Sequence, residues 1–81
     1  MMNVRAKFKV TEVTDAGDGM KMIRMRPVYG DSPENTQFFR WTPSGEIFMG
    51  VLNPAASAQF QMGHEYYVDF TRADPVEATI I

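Results

Sequence analysis

Arg5, Lys7 and Lys9 fall at alternate positions near the start of the chain, and Arg24 and Arg26 repeat that spacing further on. In an extended strand, alternate side chains share a face. Two such strands joined as a hairpin would present five cations on one surface. The chemistry that suits such a face is phosphate binding, with Phe38, Phe39 or Trp41 stacking on bases as in single-strand binders. Like charges across a ladder destabilise a sheet, so the face needs counter-charges. Phosphates are one source. The chain itself is another, because Glu65 and Asp69 carry outward parity in the last clear strand. Neutralisation within the fold is the first expectation. A nucleic-acid surface of Arg5, Lys7, Lys9, Arg24, Arg26 and Trp41 is the alternative, and an acidic protein partner is a third use.

The aromatic residues pose a second question. Phe38 and Phe39 are adjacent, as are Tyr66 and Tyr67. In strands, each pair sends its members to opposite faces, so one of each is exposed or covered by a partner. Core packing accounts for most aromatics in so short a chain. The contact set expected on this basis is Phe38, Phe39, Trp41 and Tyr67, joined by the apolar end Ile80-Ile81. Seven methionines suit irregular gaps in the core and adaptable contact surfaces.

Catalytic chemistry finds little to work with. There is no cysteine and one histidine, so Cys/His metal sites and thiol nucleophiles are excluded within one chain. His64 lies in a Gly63-His64-Glu65 turn with no motif around it. Ser44 and Ser57 are explained by a turn and a short helix. Asp15, Asp18 and Asp31 lack the spacing of a calcium loop. No phosphate-binding glycine loop or nucleophile elbow is present. The expectation is a non-enzymatic protein with no catalytic residues, no metal, no cofactor and no small-molecule substrate.

The elements that must position these side chains are mostly strands. Residues 3–13 alternate, with Val4, Ala6, Phe8 and Val10 on one face. Residues 14–19 read as a turn. Residues 20–29 form a second strand with Ile23, Met25, Pro27 and Tyr29 inward, and Pro27 marks an end, bulge or edge. Residues 30–35 read as a loop and 36–41 as a short aromatic strand. Thr42-Pro43-Ser44-Gly45 is a type I turn that makes 37–52 a hairpin. Asn53-Pro54 starts a two-turn helix, Asn as cap and Pro at the first position, stopped by Gly63. Residues 65–71 form the last main strand, with Tyr66, Val68 and Phe70 inward. The tail 72–81 supplies an extra short strand or adds to a neighbour's edge.

The chain is 81 residues long, which bounds it to one domain over 1–81. Net charge is −2, with seven of eight bases in residues 1–41 and only Arg72 beyond them. Such a balance is unusual for a strong nucleic-acid binder. No apolar run reaches the roughly 20 residues of a membrane span, and no signal peptide is expected. The fold class expected is mainly β: a five- to six-stranded antiparallel barrel or curved sheet, SH3-like or OB-like, with one short helix before the last main strand.

The segments Pro27–Asn35, TPSGEI (Thr42–Ile47), NPAA (Asn53–Ala56) and GHEYYVDF (Gly63–Phe70) resemble small uncharacterised proteins of tailed bacteriophages and prophages. These are turns, a cap and a core strand, so no catalytic residue comes with them. The resemblance implies a phage setting, in the bacterial host cytoplasm or the virion. The functional expectation is an interaction module whose partner is another protein or a second copy. A single-stranded nucleic-acid accessory protein and a virion structural component are the alternatives.

Overall fold

A computed structural model describes residues 4–74. Four strands form one antiparallel sheet: β1 (Val4–Gly17), β2 (Met20–Pro27), β3 (Ile47–Val51) and β4 (Glu65–Phe70). Their order across the sheet is β3-β2-β1-β4. Two helices, α1 (Pro33–Trp41) and α2 (Pro54–Ser57), interrupt the sequence of strands.

The mainly β expectation holds, and the first strand does pair with the last, Arg5 opposite Asp69 and Lys9 opposite Glu65. Two finer expectations do not. The strand count is four rather than five or six, and β3 and β4 are open edges among the described residues. The expected closure into an SH3-like or OB-like barrel is therefore absent there. The tail residues 75–81, including Ile80 and Ile81, lie outside the described residues.

The largest correction is at 36–41. This segment is helix, not an aromatic strand, and the expected 37–52 hairpin does not form. Ser32 is an extended N-cap whose Oγ accepts from the Asn35 amide at 3.1 Å. Pro33 occupies the first turn, where its missing N–H costs nothing, and Glu34 complements the positive end of the dipole. Thr42 N–H donates to the Phe38 carbonyl, and Pro43 cannot prolong the helix. These end signals outweigh the β preference of Phe and Trp. We expect Ser32→Ala to destabilise the protein by about 1 kcal/mol, measured by urea denaturation; no change would mean that the cap is not holding α1.

The long β1–β2 hairpin turns at Gly17-Asp18-Gly19, all three at positive φ (87°, 55° and 79°). The register shifts between Val10 and Glu12, leaving Thr11 as an extra residue. This bulge reverses parity along β1. Before it, Ala6, Phe8 and Val10 face the core; after it, Val13 does so opposite Ile23. Glu12 is thereby delivered to the charged face, opposite Arg24.

One face of the sheet carries the core: Ala6, Phe8, Val10, Ile23 and Met25 are buried there. Ile47 and Met49 of β3, Tyr66 and Val68 of β4, and Phe60 pack around them. Phe60 lies 5.5 Å, centroid to centroid, from Tyr66. The Tyr66 hydroxyl donates to the Gln59 carbonyl and accepts from the Gln61 amide, tying this loop to β4. Pro27 is buried as expected, but Tyr29 is not; the chain turns at Val28, which is fully buried instead.

Candidate functional site

The second face of the sheet holds the five cations anticipated from their spacing, and four of them have carboxylate partners. Arg5 grips Asp69 with two bonds, Nε–Oδ1 at 2.6 Å and Nη2–Oδ2 at 3.1 Å. Arg24 lies between Glu12, at 3.1 Å, and Glu46. Arg26 reaches the same Glu46 at 3.6 Å. Among the described residues Lys9 has no such partner.

Lys7 is covered rather than displayed. Its side chain is only 14% exposed because α1 crosses over it. Lys7 Nζ lies 2.7 Å from Asn35 Oδ1, 3.0 Å from Glu34 Oε2 and 3.3 Å from Glu65 Oε1. Asn35, itself buried, donates from Nδ2 to Asp31 at 3.1 Å and to Glu65 at 3.0 Å. Tyr67 donates its hydroxyl to Glu34. A polar network therefore fastens α1 to β1 and β4, and no buried side-chain donor or acceptor among the described residues lacks a partner. Asn35 and Glu34 were not singled out by sequence reasoning. Their signal was the Ser32-Pro33-Glu34 helix start, which puts Asn35 one turn from the cap.

These contacts shift protonation in consistent directions. The Tyr67 hydroxyl bond, and then Lys7, hold the Glu34 carboxyl below its ordinary range. Arg24 does the same to Glu46, and Arg5 to Asp69. Lys7 is raised, chiefly by its bond to Glu34, and Tyr67 is raised by the same carboxylate. Carboxyls lowered in the folded state stabilise it above their unfolded values, near pH 4, and lose that contribution as pH falls through the lowered values. Lys7 and Tyr67 have the opposite sense, with the contribution lost as pH rises above about 10. We expect a thermal midpoint that is flat between these limits and falls beyond both. Each exposed pair contributes little, so the decline is gradual; a protein most stable at pH 3 would contradict the network.

The aromatic residues sort differently from the strand-based expectation. On a helix, Phe38 and Phe39 are about 100° apart rather than opposed, and both are half-buried. Phe38 meets Tyr67 of β4 at 5.9 Å, and Phe39 meets Tyr29 at 6.0 Å. Tyr67 also lies under the Arg5 guanidinium at 4.8 Å. Trp41 and Tyr29 remain 72% and 71% exposed. Tyr29 lines a cleft of about 250 Å³ together with Arg26, Pro27, Phe39, Pro43 and Ser44. Tyr29 and Pro43 are contact candidates that sequence reasoning missed, since one was assigned to the core and the other to a hairpin turn.

The core face bears a larger, almost wholly apolar cleft of about 390 Å³. Both edge strands contribute to it: Ile47 and Met49 from β3, Tyr66 and Val68 from β4, with Met25 below and Phe60 alongside. His64 is exposed in the turn before β4, where its carbonyl accepts from the Val10 amide at 3.0 Å. Ser57 is buried and its hydroxyl donates to the Pro54 carbonyl, while Ser44 sits in the α1–β3 loop. The described residues contain no cluster of three or more metal-ligating side chains. No described helix is long and apolar enough to cross a membrane. Comparison of the chain with protein-family models, curated proteins and solved structures finds no match.

Proposed function

We propose that this protein is a non-enzymatic interaction module that binds another protein through the aromatic surface at the C-terminal end of α1. The observation that carries this reading is the exposure of Tyr29, which lines a cleft with Pro27, Phe39 and Pro43, and of Trp41, the last residue of α1. Large rings left in water are costly, and aromatics with an arginine at the rim are the usual anchors of protein interfaces. Arg26 supplies that rim charge. The setting we propose, on the resemblance of the turn and cap segments, is a tailed bacteriophage, with the protein in the host cytoplasm or the virion.

The alternative reading, a single-strand binder using the sheet face, is weaker on physical grounds. Arg5, Arg24 and Arg26 already pair with carboxylates, and α1 covers Lys7. A phosphate would have to displace those carboxylates, each of which repels it. The test is recovery of a partner from infected-cell lysate on immobilised protein, at low and at 0.5 M salt (roughly a 4 Å screening length). One protein should be retained at both salts, and the variant Tyr29→Ala/Trp41→Ala should recover at least ~10-fold less of it. Undiminished recovery by that variant, with its melting curve unchanged, would overturn the assignment of the surface.

A further inference from the structure

β3 reads Ile47-Phe48-Met49-Gly50-Val51, an edge strand without a charge, a proline or a lysine. Edges are normally blunted by such residues, because a bare row of N–H and C=O groups recruits another strand. No loop or side chain among the described residues hydrogen-bonds to the outer edge of β3. Phe48 and the following Leu52 are 55% and 63% exposed.

We infer that β3 pairs antiparallel with β3 of a second copy, joining two sheets into one of eight strands. The sequence of the edge argues for a copy rather than for a different chain. Antiparallel pairing centred on Met49 sets Met49 against Met49, Ile47 against Val51 and Phe48 against Gly50. Every pair is apolar, and no like charges meet. The sulfurs of Met20 and Met22 lie over Gly50, so Phe48 of the second copy would meet methionine sulfur there, twice across the two-fold axis. The other edge lacks this property. The same operation on β4, centred on Tyr67, sets Glu65 against Asp69 twice, a like-charge juxtaposition. Ile47 and Met49 also line the apolar cleft, so the pairing would bring two such clefts side by side across the new junction. This inference stands apart from the α1 surface and survives or fails without it.

Sedimentation equilibrium tests it. The wild-type protein should approach twice its 9.2 kDa mass as concentration rises. Phe48→Lys places a cation on the edge and should weaken association by ~10-fold or more. The chain has no cysteine, which permits a positional test. Two Met49→Cys chains would bring their Cα atoms to about 4.5–5.5 Å, within disulfide range, and should crosslink on mild oxidation. Leu52→Cys, roughly 20 Å from its own copy in this register, should not. These cysteine variants keep the test decisive whether or not Phe48→Lys folds. A wild type that stays at 9.2 kDa throughout, or crosslinking at 52 rather than 49, would overturn the proposal.

Discussion

Replacing Ile23 with alanine should lower the unfolding free energy by about 2–5 kcal/mol. Ile23 is fully buried and lies between Val13 of β1 and Met49 of β3 in the ladder. It therefore joins the two ends of the core, and a cavity there cannot be filled by Val10 or Met25 without shifting the register. The effect is large relative to the whole. Domains of this size are stable by about 0.05–0.15 kcal/mol per residue, so the loss would remove a large fraction of the total. Urea denaturation followed by circular dichroism gives the number. A loss under about 1 kcal/mol would mean that the core is centred elsewhere.

Asn35→Ala should cost about 1–3 kcal/mol, but with a different signature. Asn35 is buried at 3% exposure and bonds to Lys7, Asp31 and Glu65 at once. Its loss removes one of three Lys7 partners beneath α1 and the Asn35–Glu65 link to β4, leaving the Tyr67–Glu34 bond as the remaining polar tie between helix and that strand. A nine-residue helix is marginal by itself in water, so α1 should melt when undocked while the sheet persists. Native-state hydrogen exchange should show protection lost over 36–41 and retained at Val10 and Ile23. Equal loss in both regions would mean that α1 and the sheet unfold as one unit. Combining Asn35→Ala with Lys7→Met should be clearly less than additive, because the two changes break the same network.

The strands were legible where parity was uninterrupted. Ala6, Phe8, Val10, Ile23 and Met25 alternate cleanly and are buried, and Glu65 and Asp69 meet the first strand as their parity implied. Two kinds of information were harder to read. The Thr11 bulge changes which side of β1 faces the core; its mark is the break in alternation at Thr11-Glu12-Val13, which the strand reading passed over. The segment 36–41 has strand-forming composition, yet its fate was set by Ser32-Pro33-Glu34 just before it. That start signal is as good as Asn53-Pro54, which was read correctly as a helix start. Misreading α1 also misplaced the aromatic surface. Phe38 and Phe39 lie about 100° apart on a helix rather than on opposite faces of a strand, Phe38 against Tyr67 of β4 and Phe39 against Tyr29 just before α1. The neutralisation of the cations was foreseen through Glu65 and Asp69. The parts played by Glu12, Glu34 and Glu46 depend on the bulge, the helix and the loop before β3, and no spacing rule in the chain announces them.

Four of the five cations on the sheet are engaged by the protein's own carboxylates. Fluorescence anisotropy of a labelled single-stranded oligonucleotide, titrated with protein at low and then moderate salt, measures this directly. We predict no rise in anisotropy even at low salt, because no phosphate-ready row of free cations remains on that face. Binding at low salt that collapses steeply as salt rises, and that disappears in Arg5→Gln/Arg24→Gln, would contradict it.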